Sequence, residues 1–144
     1  MRYLAEPFII GALRRGRSVE QFLGLVGSPE RPGVRYAEVR AERTSYEVYV
    51  HAVEDVGHES LLDLDMFPPF DQDAEEEDFG QLMGTTEDPQ DALVLAEECA
   101  GAVRGRWVNQ GVVQDEYRDF VRAGRPSDMS PDGHPWPDLR TGPC

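Results

Sequence analysis

The sequence predicts an α+β domain in which an antiparallel sheet of three or four strands is packed on one face by three or four helices. Three observations favour this fold class. Apolar residues alternate with a period of two between residues 34 and 67, which is typical of half-buried strands. Helix-capping signals precede residues 89–103, and an apolar stripe with helical spacing follows at 112–123. The length of 144 residues is that of one domain.

Two short helices are expected within residues 5–26, before the sheet. In the first, apolar residues recur at spacings of three and four, and Pro7 suits the first helical turn. Ser18 and Gln21 have the spacing of a capping box, which predicts a second helix that ends at Gly27.

The middle of the chain predicts an antiparallel meander. Residues 34–42 and 46–53 alternate apolar and polar side chains and are rich in β-branched and aromatic residues. A third alternating run at 59–67 stops at Pro68, and residues 79–83 are expected to add a short fourth strand.

The clearest helix signal lies at Asp88, a good N-cap residue, followed by Pro89 at the first helical position. A last helix is expected over 112–123, closed by Gly124. We therefore expect one α+β domain over residues 1–124.

Residues 125–144 hold five prolines among scattered Asp and Gly residues. This composition neither pairs into a sheet nor continues a helix. A Pro-rich, loosely attached C-terminal tail is expected, with Trp136 as its one anchor.

The charge is concentrated in one part of the chain. The protein has 28 acidic and 14 basic residues, for a net charge of −14. Residues 46–100 contain 17 of the acids and no Arg, whereas the flanking segments carry about +3 and 0. Such a surface repels nucleic acid and anionic membranes and attracts a basic protein partner. The alternative is that acidic composition serves only solubility.

Localisation is expected to be cytoplasmic. No apolar run approaches the ~18 residues of a membrane-spanning helix. Glu6 and Pro7 interrupt the place where a signal peptide would have its apolar centre. The sequence leaves open whether the protein is a monomer or a homodimer.

Metal binding is not expected, although the run from Asp71 to Asp78 holds six acids in eight positions. A calcium loop that began at Asp71 would need Gly where Glu76 stands and a bidentate Glu where Leu82 stands. This run instead predicts a solvated acidic loop. No motif for another cofactor is present either.

The sequence offers no recognisable catalytic motif. Neither a nucleophile elbow nor a phosphate-binding loop occurs, and Cys99 is expected to be a buried, inert thiol. An alternative function, as a small-molecule-binding or enzymatic domain, would use the region of His51, His58, Asp63 and Asp65.

The segment from Trp107 to Tyr117 connects the last two helices with large apolar and amide side chains. Tryptophan and tyrosine dominate binding hot spots, so this corner is a candidate contact surface. Alternatively, Trp107 fills the gap between those helices and the sheet. Asn109 remains open between binding and helix capping.

In size, charge and order of elements, and in the strand Tyr46 to His51 combined with the segment Trp107 to Tyr117, the chain resembles the immunity proteins of bacterial polymorphic toxin systems. These are small, acidic, cytoplasmic α+β proteins. The resemblance implies a non-enzymatic inhibitor that binds and occludes a cognate toxin domain, often a basic nuclease.

The expected function is therefore stoichiometric binding of a basic protein, with a toxin domain as the partner that the resemblance implies. Aromatic anchors set the lifetime of such a complex, whereas rim charges mainly accelerate the encounter. The candidate partner-binding residues are Tyr46, Tyr49, Asp63, Asp65, Asp71, Asp73, Glu75, Glu76, Glu77, Asp78, Trp107 and Asn109.

Overall fold

The structure, a computed structural model, describes residues 2–70, 81–127, 129–131, 133 and 135–136. It is an α+β fold, as the sequence predicts. In chain order the elements are α1 (Glu6–Arg14), β1 (Val19–Ser28), β2 (Arg31–Ala41), β3 (Tyr46–Glu54), a 3-10 turn (Leu64–Met66), β4 (Gln81–Thr86), α2 (Pro89–Ala100), a second 3-10 turn (Arg104–Arg106), β5 (Val108–Asn109) and α3 (Val113–Arg122).

Within the described residues, five strands form one antiparallel sheet in the order β4-β3-β2-β1-β5. The prediction of three or four strands was too low, because β1 and β5 were not recognised. Both ends of α2 follow their local signals. The side chain of Asp88 accepts a hydrogen bond from the Gln90 amide, and Gly101 ends the helix in the left-handed conformation.

Helices cover both faces of the sheet, so the prediction that they pack on one face was wrong. Alternate residues of each strand enter different cores. The first core joins α1 and α2 to one face and contains Ile9, Leu13, Val39, Val48 and Leu93. The second core joins α3 to the other face and contains Phe22, Tyr36, Phe67, Tyr117 and Phe120.

Strand β1 replaces the second helix that the capping-box pattern predicted. The strand contains a bulge between Phe22 and Gly24, and Gly24 has a φ of +94°. Phe22 and Leu23 face opposite cores, as neighbours in any strand do, but the inserted residue returns Leu25 to the second core, three residues after Phe22. This break in the alternation leaves apolar spacings that resemble those of a helix.

The predicted third strand at 59–67 is also wrong. In its place the chain makes the 3-10 turn Leu64–Met66, with Asp63 as its N-cap. Leu64 and Phe67 are buried in the second core, whereas Met66 is 73% exposed. The fourth strand does form, as β4, but it begins at Gln81 in the described part of the chain.

The anchor expected in the tail is present. The ring of Trp136 lies 5.5 Å from Phe22 and 5.9 Å from Phe120, measured between ring centroids. Its Nε1 donates a hydrogen bond to the Pro126 carbonyl over 2.9 Å. The domain boundary at residue 124 stays a prediction.

Cys99 is completely buried, as expected, but it is disulfide-bonded and so is not a free thiol. Its partner lies outside the described residues. None of the described helices is long and apolar enough to cross a membrane.

Candidate functional site

Two glutamates lie side by side on the face of the sheet that α3 covers. Glu20 of β1 is the cross-strand partner of Glu38 of β2, and Tyr49 of β3 follows in the same row. Glu20 is 6% exposed and Glu38 is 5% exposed. Like charges directly opposite each other destabilise a sheet, so the surroundings of the two carboxylates decide whether both ionise.

Glu38 is held ionised by two donors. His51 Nε2 lies 2.9 Å from Glu38 Oε1, and the Arg40 guanidinium donates two hydrogen bonds to the same carboxylate, over 2.9 and 3.2 Å. Burial opposes ionisation, but the hydrogen bonds from His51 and Arg40 lower the pKa of Glu38 to about 2. The imidazole of His51 is in turn stacked on Tyr36, with ring centroids 4.5 Å apart.

Glu20 has the opposite environment. Burial raises its pKa to about 7, and the negative charges of Glu38 and Asp65 act in the same direction. One hydrogen bond, donated by the Gly111 amide over 2.7 Å, opposes this rise. Glu20 therefore exchanges a proton near neutral pH, whereas Glu38 stays ionised.

The 3-10 turn brings two more carboxylates to this row. Tyr36 donates a hydrogen bond from its hydroxyl to Asp65 Oδ1 over 3.0 Å. Asp63 Oδ1 accepts one from Gln114 Nε2 and one from the Asp65 amide, each over 3.1 Å. We call Glu20, Glu38, Asp63 and Asp65 the carboxylate cluster. Two of its members are buried, Asp63 is half-buried and Asp65 is exposed.

The structure brings three of the predicted binding residues together. Asp63 and Asp65 belong to the cluster, and Tyr49 lies next to Glu38 in the same cross-strand row. Tyr49 is half-buried beneath the Arg40 guanidinium, whose central carbon lies 4.1 Å from the ring centroid, and its hydroxyl donates to Glu47.

The other predicted residues lie elsewhere. Tyr46 packs against the first core, on the opposite face of the sheet. Asn109 is exposed on β5, where its carbonyl accepts a hydrogen bond from the Val112 amide. The six acids of the run 71–78 (Asp71, Asp73, Glu75, Glu76, Glu77 and Asp78) lie outside the described residues.

Trp107 is not an accessible anchor. It is completely buried in the first core, and its carbonyl accepts a hydrogen bond from the Leu4 amide. Trp107 thus fills space beside the sheet, but it does so next to α1 and α2 and not between the last two helices, because α3 packs on the other face. A partner cannot contact its indole unless the core opens.

The structure does not bring His51 and His58, the two histidines of the alternative function, together in one site. His51 faces Glu38 and Tyr36, whereas Nδ1 of His58, in the turn after β3, accepts a hydrogen bond from the Ser60 amide. Among the described residues, no group of three His, Cys, Asp or Glu side chains is arranged to hold a metal ion. A cavity of about 40 Å³ lies between Phe22, Glu116 and Trp136, away from both histidines.

Sequence reasoning missed Glu20 and Glu38. Glu20 was assigned to a helix, and Glu38 was placed on the polar face of a strand that was expected to be covered on its other face only. The alternation of residues 34–42 places Glu38 within a strand, and this was the signal that could have identified it. Its pairing with Glu20 depends on the strand register, which the sequence does not reveal.

No family model matches the chain, and comparisons with curated proteins and with solved structures also give no match.

Proposed function

We propose that this protein is a non-enzymatic binding module for a basic protein, and that it acts as an immunity protein that neutralises a cognate toxin domain. The observation that carries this proposal is the carboxylate cluster. Glu20, Glu38 and Asp65 lie around Tyr36, Asp63 accepts a hydrogen bond from the Asp65 amide, and Arg40 is the one guanidinium that the described residues supply to these four carboxylates.

The exposed half of the cluster supports an intermolecular role. Among the described residues, no cationic side chain forms an ion pair with Asp63 or Asp65. In contrast, Asp55 and Glu59 in the preceding turn pair with Arg125 and Arg122. A partner's Arg or Lys would add charge-assisted hydrogen bonds to these two carboxylates, which accept hydrogen bonds only from uncharged donors in the described part of the chain.

Apolar surface adjoins these charges. The side chain of Met66 is 73% exposed between Asp65 and buried Phe67. Flexible methionine side chains adapt to varied partner surfaces. Charged residues mainly raise the association rate, while buried apolar contacts set the dissociation rate. The turn from Asp63 to Met66 supplies both kinds of group.

The immunity assignment comes from the resemblance in size, acidity and order of elements. An acidic inhibitor that covers a basic nuclease would place carboxylates where the substrate phosphates bind. This function needs stoichiometric binding and no catalytic group on the inhibitor. A site built from an unneutralised acidic turn fits that requirement.

A second candidate is acid–base chemistry, favoured by one observation. Glu20 has a pKa of about 7 and lies opposite ionised Glu38, and groups with separated pKa values mark many active sites. We favour protein binding because both glutamates and His51 are buried and the cavity described above does not reach them. If E20Q and H51N variants still protect cells from a toxin, this second function is excluded as the protective one.

The deciding experiment is co-expression with any toxin domain found encoded beside this gene, followed by binding kinetics on the purified pair. Wild-type protein should allow growth and form a 1:1 complex. The D63N/D65N variant keeps hydrogen-bond acceptors but loses two charges, so its association rate at low salt should fall about 5- to 10-fold.

The matched control is E30Q/E87Q, which makes the same change in net charge at two exposed positions whose carboxylates form no ion pair among the described residues. Its association rate should stay within about twofold of wild type. Equal effects of the two variants would show that only net charge matters. Growth arrest in the presence of wild-type protein would refute the immunity function for that toxin.

A further inference from the structure

We propose that the outer edge of β4 binds an extended basic segment of the partner, which adds to the sheet as a sixth strand. This inference rests on the proposed function, because it names a second contact for the same basic partner. It comes from an edge of the sheet that the carboxylate cluster does not include.

Among the described residues, no strand covers the outer edge of β4, and the strand itself is uncharged. Strand β4 comprises Gln81–Thr86, is the last strand on its side of the sheet, and contains no charged residue and no Pro. Natural edge strands are usually protected by charges, by Pro or by extreme shortness. At the opposite side, β5 has two residues, and Trp136 lies against Gly24 of β1.

The hydrogen-bonding groups on this edge can be assigned from β3. The Ala52 carbonyl and the Glu54 amide of β3 bond outward, to Phe70 and Pro68. The backbone N–H and C=O groups of alternate residues point the same way. Those of Val48 and Tyr46 therefore point toward β4, where these residues pair with Gly84 and Thr86. Thr85, between these two, presents its own N–H and C=O away from the sheet.

Leu82 also presents its backbone N–H and C=O away from the sheet, because its neighbour Gln81 pairs with Val50 and the backbone directions alternate along the strand. The ladder is irregular between Leu82 and Gly84, so two short pairing stretches are available. No backbone hydrogen bond from the described part of the chain reaches the outer groups of Leu82 or Thr85. The side chain of Leu82 is 49% exposed and offers apolar contact to an added strand.

Acidic side chains flank this edge, and their negative charge favours a basic segment as its occupant. Leu95 of α2 lies directly over Gly84, which fixes the side of α2 that faces β4. Asp91 and Glu98 stand four residues before and three after Leu95, so they lie on the same side of the helix. Both are exposed, and neither has an ion-pair partner among the described residues.

A second copy of this chain fits poorly, since two molecules of charge −14 would place their acidic helices side by side. An extended segment with Arg or Lys at alternate positions fits well. Its backbone would pair with Leu82 and Thr85, and its cations on one face would reach Asp91 and Glu98. Backbone pairing gives affinity in such strand addition, and side chains give specificity.

The test uses the full-length protein and a synthetic peptide, Arg-Val-Arg-Thr-Arg-Val-Arg-Thr. Amide spectra of the labelled protein should show shifts concentrated at residues 81–86 and slower hydrogen exchange at Leu82 and Thr85. The same peptide with every backbone nitrogen methylated keeps its charge but cannot pair as a strand. Its affinity should fall at least 10-fold.

Variants separate the two parts of the proposal. D91N/E98Q should weaken peptide binding about 5- to 10-fold, whereas E30Q/E59Q should leave it within about twofold. T85P removes an outward amide and should abolish the exchange protection, with unchanged thermal stability as evidence of folding. Shifts confined to the carboxylate cluster, equal binding of the methylated peptide, or no binding at millimolar peptide would each overturn the proposal.

Failure here is distinguishable from failure of the proposed function. If a toxin domain binds and is neutralised without exchange protection of β4, the edge proposal is wrong and the binding function stands. If the edge binds the peptide but no basic protein is neutralised, the proposed function fails and the edge remains a peptide-binding site.

Discussion

At the scale of single residues, Glu20 links stability to pH. Its pKa is raised to about 7 by burial and by neighbouring carboxylates, above the value near 4.5 of the unfolded chain. The stability that this group contributes is therefore complete below pH 4.5 and is lost as pH rises through 7. E20Q should remove this loss and stabilise the protein at pH 8 by about 3 kcal/mol.

Urea unfolding at pH 5 and pH 8 measures this effect. Glu38 supplies the internal control, because its pKa is lowered to about 2. Its contribution is present above pH 4.5 and disappears as pH falls toward 2. E38Q should therefore destabilise the protein at pH 8. Identical behaviour of the two variants would contradict the assigned environments.

Arg35 is a buried cation that forms no ion pair with the described residues. It lies in the middle of β2 and is 7% exposed, and burial lowers its pKa. Its Nε and Nη2 find no hydrogen-bond partner in the described part of the chain. R35M should raise the free energy of unfolding by about 1–2 kcal/mol, because an unpaired charge costs more to bury than an apolar side chain.

Thermal unfolding checks this prediction, with R40M as the comparison. Arg40 donates two hydrogen bonds to Glu38, so its removal should lower the melting temperature while R35M raises it. A lower melting temperature for R35M would indicate that Arg35 has an unrecognised partner.

At the scale of elements, the segment between α2 and α3 is held by Trp107. Because this side chain is completely buried in the first core, W107A should cost about 3–5 kcal/mol of stability. Y49A, at the half-buried surface beside the cluster, should cost less stability and should speed dissociation of the partner. Urea unfolding and dissociation rates of the two variants test this division of roles. Faster dissociation from a fully folded W107A protein would restore Trp107 as a contact residue.

The sequence predicted a helix or strand correctly where the residues of that element carried a sufficient signal by themselves. The alternation of β2 and β3, the N-cap at Asp88 and the apolar stripe of α3 are local features, and the structure confirms all four elements. Strand β1 was missed because a bulge places Phe22 and Leu25, three residues apart, against the same core. Residues 59–67 were misassigned because their apolar side chains serve a turn that folds over the sheet.

At the scale of the whole molecule, the net charge of −14 predicts electrostatic steering of a basic partner. The association rate should fall about 10- to 100-fold between 0.05 and 0.5 M salt, because exposed charges are screened over about 10 Å at 0.1 M. The dissociation rate should change much less. Stopped-flow mixing at several ionic strengths measures both rates. An association rate independent of salt would show that the acidic surface does not steer the partner.

The sequence by itself determined the α+β class, the two central strands, the principal helices and the concentration of negative charge between residues 46 and 100, since each is written in local spacing or composition. It also pointed to Tyr49, Asp63 and Asp65. Only the tertiary structure decided that helices cover both faces, that Glu20 faces Glu38, and that β4 is the last strand on its side of the sheet in the described part of the chain. These features depend on register and strand order, which arise from contacts between residues far apart in the chain.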